Sequence, residues 1–479
     1  MHWYHGDGAG RRAAFPRRPR RPATGRPSGR GTDGARTAVP GRRPPPPSPH
    51  RPPVVRPFPH VAARSTVMLS PSSASVVRET LPAVSGALDE ITHRFYTTMF
   101  AEHPDLLDGL FNRGNQADGS QRRALAGAVA AFAGALLGAP EARPDTLLSR
   151  IAHKHAAVGV TEDQYAIVHK YLFGAIGEVL GPAATPEVVA AWDEVYWLMA
   201  GALVAQEARL YLEAQVRPGH PWRPWTVVER REETADVVSF LLRTTDDGPL
   251  PPALPGQYVS VRVRMPDGVH QLRQYSLSSA PGGELRRITV KRLRGGGRTP
   301  DGEVSTLLHE TVRAGDELLL SAPFGEVTLA DGNGPLVLAS AGIGCTPMVG
   351  MLEHLAATHS EREVLVLHAD RSPATHALRT DMRRLVRELP GGRGEFWYER
   401  PGAETPGVHS GLLDVTALDL PAHATAYLCG PLPFMRAVRR QLLAAGLAAR
   451  NIRYEVFGPD LWTADAADAA DAAGAAQPA

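Results

Sequence analysis

A chain of 479 residues exceeds the ~250 to 300 residues at which a single core stops growing, so two or three domains are expected. With 43% hydrophobic residues, 21% charged residues and a formal net charge of +2, it carries no membrane-protein or nucleic-acid-binding bias. Its two cysteines, Cys345 and Cys429, exclude a disulfide framework and a four-cysteine metal site, and they predict a reducing, cytoplasmic setting.

Residues 1–66 hold fourteen arginines against Asp7 and Asp33, are dense in proline and lack sustained apolar periodicity, so they build no core. The prolines forbid the amphipathic helix of a transit peptide, and no apolar signal-peptide core is present. Ser70-Pro71-Ser72 followed by Val76, Val77, Leu81 and Leu88 opens a helical pattern. The reading is a disordered extension over 1–67, with Met68 an alternative translation start.

From Ser75 to Val216 apolar residues recur every three or four positions, which predicts an all-α domain over 68–216. Asp193 to Tyr211 is its clearest helix. Ala124 to Pro140, the longest uncharged apolar stretch, falls short of the ~20 residues of a membrane span and reads as a buried helix. Arg217-Pro218-Gly219-His220-Pro221 breaks the chain. Alternation then takes over in Val227 to Leu242, Tyr258 to Val263 and Ile288 to Lys291, predicting an antiparallel barrel over 222–331. Short apolar strands at Leu336 to Ala339, Val364 to Leu367 and Ala426 to Leu428 alternate with helical segments, predicting a parallel α/β sheet over 334–459. An Ala/Asp tail over 460–479 buries nothing.

Arg273-Gln274-Tyr275-Ser276 follows Pro255-Gly256-Gln257-Tyr258, and with these motifs residues 222–459 resemble the ferredoxin-reductase-like flavoproteins. The resemblance implies that Arg273 pairs with the FAD pyrophosphate, Tyr275 packs on the isoalloxazine and Ser276 approaches its reactive edge, with Tyr258 and Gln274 in the same cofactor site. Gly302-Glu303-Val304-Ser305 matches the helix start that faces the same pyrophosphate, after a loop lengthened by Arg294 to Thr299. Gly342-Ile343-Gly344-Cys345-Thr346-Pro347, between a strand and a helix, matches the family's nicotinamide-nucleotide turn. Cys429-Gly430-Pro431 is implied beside the nicotinamide. In Tyr454-Glu455-Val456-Phe457-Gly458-Pro459, Phe457 is implied to cover the flavin, with Glu455 and Gly458 close by. Flavin turns one hydride into two single electrons, so an acceptor is expected in the α domain.

A haem there needs one neutral imidazole, and His93, His103, His153, His155 and His169 compete; periodicity does not choose among them. The domain resembles flavohaemoglobins through His93-Arg94-Phe95-Tyr96 with Met99-Phe100, Leu110-Phe111-Asn112, Gly119 to Leu125, Ile151-Ala152-His153-Lys154-His155 and Asp163-Gln164-Tyr165. This implies His155 as the iron ligand, with His153 on another face. It implies Tyr96 as the distal hydroxyl, Gln121 beside it, Leu125 over the iron, Phe111 against the haem, and Tyr165 and Glu207 around the ligating imidazole.

The resemblance thus implies a three-domain, cytoplasmic monomer with haem b, FAD and NAD(P)H that converts NO and O2 to nitrate, with no nucleic-acid partner and no membrane insertion. A reductase with an oxygen- or redox-sensing globin, or an oxygen-binding protein, are the alternatives. Asp370-Arg371-Ser372 offers both an acid for a ribose and an arginine for a 2′-phosphate, which leaves NADH and NADPH open.

Overall fold

A computed structural model describes residues 69–457, apart from 109, 112–118, 139–143, 297–299 and 403–405. The expectations for 1–67, Met68, Gly458 and 460–479 lie outside the described residues.

The helical part begins at α1 (Pro71–Glu102), where Ser70 caps the first turn by accepting the Ser73 N–H and Pro71 takes a position that needs no donor. A 3₁₀ turn (Pro104–Leu107) is followed by α2 (Ser120–Leu137), α3 (Pro144–Val158), α4 (Glu162–Leu180) and α5 (Pro186–Glu213). Val77, Phe132, Leu148, Trp192 and Leu203 anchor one apolar cluster, and Ile91, Phe95, Met99, Leu172 and Ile176 a second. The described part of that apolar stretch, 124–138, is only partly buried: Ala126, Phe132 and Ala133 are inside, while Ala124, Leu125, Ala128 and Val129 are half-buried because they wall a cavity. α5 is long and apolar enough by composition to cross a membrane, and here it sends Trp192, Val195, Leu203 and Glu207 into the helical core.

Six strands follow: β1 (Trp222–Thr234), β2 (Val237–Thr244), β3 (Tyr258–Arg264), β4 (His270–Ser276), β5 (Leu285–Lys291) and β6 (Glu317–Ser321). They form an antiparallel sheet in the order β4-β3-β6-β1-β2-β5, and a bridge from Leu277 to Ile288 joins its two edges into a barrel. Val238, Phe240, Leu242, Val259, Val261, Ile288 and Val290 alternate inward, and α6 (Glu303–Thr311) buries Val304 and Leu308 among them.

The last sheet is fully parallel, in the order β10-β9-β8-β7-β11-β12, from β7 (Leu336–Ala341), β8 (Val364–Asp370), β9 (Gly392–Tyr398), β10 (Val408–Ser410), β11 (Thr425–Cys429) and β12 (Ile452–Glu455). Helices α7 (Cys345–Ala357), α8 (Arg379–Glu388) and α9 (Leu432–Ala444) cover it. Leu336, Leu338, Val364 and Val366 pack to one face and Val337, Ala339, Leu365 and Leu367 to the other, which explains why these strands read as unbroken apolar runs. The chain runs outward from β7 to β10 and then returns to the far side of β7 as β11. That reversal opens a crevice at the carboxyl ends of β7 and β11.

Candidate functional site

α3 ends one turn after His155. Gly159 takes φ +87°, its N–H and that of Val160 both reach the His155 carbonyl (3.0 and 3.1 Å), and Thr161 opens α4 with a reciprocal cap to Gln164. The tight turn sets Tyr165 against His155, and Tyr211 of α5 secures it by donating to the Val160 carbonyl at 2.8 Å. α5 also supplies Glu207, whose carboxylate is buried at 3% exposure. Glu207 Oε1 lies 2.8 Å from His155 Nδ1 and accepts the Tyr165 hydroxyl at 2.5 Å. A carboxylate at that distance keeps the proton on Nδ1 and leaves the Nε2 lone pair for a metal. Burial, and then the adjacent Glu207 charge, pushes the Tyr165 phenol well above its ordinary value, so it stays a donor.

Across the interior, Tyr96 of α1 hydrogen-bonds Gln121 of α2, and burial raises its phenol far above the usual tyrosine range. Phe100 and Phe111 fix its ring at centroid distances of 5.5 and 6.0 Å. Between Tyr96 and His155 begins a cavity of about 1490 Å³, which continues past Arg273 to Ser276 on β4 and the start of α6, then to Gly342–Gly344 and Cys429–Pro431. That exceeds the ~300 to 1,000 Å³ of a single-ligand pocket.

On the barrel side, Arg273 is held by donating Nη1 to the Leu272 carbonyl (2.6 Å), and Ser276 Oγ is buried with no hydrogen-bond partner in the described chain. Ser305 Oγ accepts the Leu293 N–H and donates to the Gly302 carbonyl, pinning the base of the lengthened loop and presenting the first N–H groups of α6 to the cavity. At Gly344 a Cβ would collide with the Cys429 carbonyl, so β7 and β11 meet backbone to backbone. An apolar slot with one oriented imidazole fits a haem. A guanidinium, a helix N-terminus, an aromatic plane and an unsatisfied buried hydroxyl fit a flavin nucleotide, and the glycine turn fits a dinucleotide.

The globin family model matches residues 93–203, and the oxidoreductase NAD-binding domain model matches 338–440. A flavohemoprotein of Bordetella parapertussis is 44% identical over 405 residues, covering 82% of this chain and 99% of that protein. One from Rhizobium meliloti is 41% identical over 406 residues, covering 82% and 100%. This chain belongs to the flavohaemoprotein family. The crystal structure of a Malassezia yamatoensis flavohemoglobin with bound FAD and heme aligns with a TM-score of 0.74 at 40% identity, over 81% of this chain and all of that one.

In this flavohaemoprotein the cavity gathers Tyr96, Phe111, Gln121, Leu125, His155, Tyr165, Arg273, Gln274, Tyr275, Ser276, Gly302, Ser305, Gly342, Gly344, Thr346, Cys429, Gly430 and Phe457. It does not gather Tyr258, Val304, Pro347 or Glu455, which are buried behind it; Glu207 acts through His155. Phe457 is 42% exposed and meets Tyr258 edge-on at 5.9 Å.

Two further side chains of α3 reach beyond the helical part. Arg150 donates Nε to Glu326 beyond β6 (3.2 Å) and Nη2 to the Tyr454 carbonyl of β12 (3.2 Å), with its guanidinium 4.6 Å above the Tyr454 ring. His153 Nδ1 accepts the Gly325 N–H at 2.9 Å. One helix therefore touches the barrel and the parallel sheet while carrying His155. Nothing local in the sequence marks an arginine on a helix as such a contact.

Proposed function

We propose that this flavohaemoprotein is a nitric oxide dioxygenase, converting NO and O2 to nitrate with electrons from NAD(P)H. It is an NAD(P)H-dependent oxidoreductase whose cofactors are haem b, FAD and the nicotinamide nucleotide. Bound, these supply an iron centre for oxygen chemistry, a two-to-one electron converter and a hydride source. The proposed division is a globin over 68–216, an FAD barrel over 222–331 and an NAD(P) domain over 334–459, in a cytoplasmic monomer.

The observation that carries the reading is the pair Tyr96–Gln121 facing His155–Glu207 across one cavity. Tyr96, kept protonated, donates into the cavity and steadies the negative charge that develops as dioxygen is reduced. Glu207 and Tyr165 hold the His155 ring in one orientation and enrich its electron density, which favours oxygen activation over reversible carriage. Arg273 and the α6 N-terminus would hold the FAD pyrophosphate, Tyr275 would support the ring system and Ser276 would offer it a free hydroxyl. Phe457, which lines the same cavity, would cover the flavin, and Gly342–Gly344 with Cys429 would hold the nicotinamide.

The test is stopped-flow mixing of the NADH-reduced, air-equilibrated holoprotein with NO, following the haem bands and assaying nitrate. Rapid conversion to ferric haem with stoichiometric nitrate, renewed by excess nicotinamide, is expected. Haem bands that persist unchanged would overturn the reading in favour of a sensor or an oxygen-binding protein.

A further inference from the structure

We propose that the chain selects NADPH, reading its 2′-phosphate with Arg371 and Arg400, and that Asp370 forms a turn and does not bind the ribose. The proposal rests on the dinucleotide reading of Gly342–Gly344 but not on NO chemistry. Where a parallel sheet binds NAD, an acid at the end of the next strand accepts the ribose hydroxyls, and it must present its oxygens at the surface.

Asp370 closes β8 at that place, yet its carboxylate faces inward. Its Oδ1 accepts the Arg371 N–H and the Thr375 hydroxyl, both at 2.6 Å. Its Oδ2 lies 3.7 Å from Nε2 of the fully buried His368, and the side chain is only 7% exposed. Thr375 Oγ1 also contacts Ser372, accepting its N–H at 3.1 Å and meeting its carbonyl at 3.0 Å, so Asp370 is the inner post of a closed 370–375 turn. Turning it outward would strip two hydrogen bonds from a buried carboxylate and leave the Arg371 N–H unpaired.

The residues facing outward at this edge are basic. Arg371 and Arg400 are both exposed, and the Arg400 N–H donates to the Arg371 carbonyl at 2.9 Å, which sets the two arginines side by side at the ends of β8 and β9. Neither has a side-chain ion pair among the described residues. β8 pairs directly with β7, Ala369 opposite Ala341, so the arginines stand beside the glycine turn at the same end of the sheet. Two planar guanidinium forks suit a phosphate dianion and gain little from a plain ribose hydroxyl.

The experiment uses the full-length, cofactor-loaded protein and titrates 2′,5′-ADP, 3′,5′-ADP and 5′-AMP by calorimetry, alongside anaerobic flavin reduction by NADPH and NADH. The 2′,5′-isomer is expected to bind about tenfold tighter than either other nucleotide, the worth of one charge-assisted contact. In Arg371→Gln/Arg400→Gln the advantage should fall to about twofold or less, 5′-AMP binding should be unchanged, and the NADPH-over-NADH ratio of kcat/KM should fall in step. Asp370→Asn should not weaken 5′-AMP binding. Equal binding of 2′,5′-ADP and 5′-AMP to the unmutated protein would overturn the proposal. So would 3′,5′-ADP binding as tightly as its isomer, an advantage that survives the double substitution, or loss of 5′-AMP binding in Asp370→Asn. These outcomes do not depend on whether NO is oxidised.

Discussion

Replacing Glu207 by glutamine tests the proximal arrangement at nearly constant volume. In the parent chain one buried oxygen accepts both the Tyr165 O–H at 2.5 Å and the His155 N–H at 2.8 Å. Hydrogen bonds to a charged partner contribute about 1.5 to 3 kcal/mol, against about 0.5 to 1.5 kcal/mol for neutral ones. The amide oxygen of the introduced side chain accepts from the same donors, so the geometry survives while each bond loses about 1 to 2 kcal/mol. The imidazole thereby loses most of its anionic character, and a fall of about 10- to 100-fold in NO consumption is expected, the range found for partners of metal ligands. The assay combines steady-state NO consumption with the iron–histidine stretch of the ferrous haem by resonance Raman, which should shift to lower frequency. NAD(P)H-driven flavin reduction should stay at its parent rate. An unshifted stretch together with unchanged NO consumption would refute the role given to the carboxylate. Tyr165→Phe should be milder, because Glu207 keeps its bond to His155.

Tyr96→Phe retains the packing against Phe100 and Phe111 and removes only the hydroxyl, so NO consumption should fall about tenfold or more with flavin reduction intact; an unchanged NO rate would remove Tyr96 from the mechanism. Gly344→Ala forces a methyl against the Cys429 carbonyl, at a cost of about 1 to 3 kcal/mol, and should abolish tight nucleotide binding while the Soret band stays normal; nucleotide titration decides. His368 and His376 are buried with their rings stacked at 3.7 Å, and burial lowers the pKa of both below the ordinary 6.5. The unfolded chain then binds more protons than the folded one, so this contribution is complete above pH 6.5 and is lost as pH falls toward the depressed folded values. Melting temperatures measured from pH 7 to 5 should decline, and less steeply in His376→Gln; parallel curves would show that the pair does not titrate in this window.

The three-part architecture was legible because each part has its own periodicity, and because Arg217 to Pro221 marks the first change of texture. The glycine turn was legible for a backbone reason: Gly342 adopts φ +54° and Gly344 has no room for a Cβ, and both constraints leave a trace in residue type. The choice of His155 among five histidines was not legible from spacing, since four lie on helices and His103 caps one; it needed the surrounding motif. Glu207 would ordinarily be read as solvated, and its burial follows from how α5 crosses α3, which no local pattern encodes. Asp370 has the residue type of a ribose ligand and the conformation of a turn former. Only the hydrogen bonds from Thr375 and Arg371 reveal that difference. The partial exposure of α2 escaped for a related reason, since an apolar side chain facing a cavity and one facing a core look alike in sequence.

The contacts made by Arg150 bear on how such a chain can be taken apart. Arg150 and His155 are separated by roughly 7.5 Å of helix axis, so the His155 imidazole is indexed to the barrel and the parallel sheet by a rigid rod little more than one turn long. A foreign globin joined through the same linker would arrive with an iron ligand but without that index, and its haem would sit at an uncontrolled distance from the flavin. Interchange of modules in this architecture therefore depends less on the connecting peptide at 214–221 than on transplanting Arg150 to Val158 of α3 together with their docking points at Gly325, Glu326 and Tyr454.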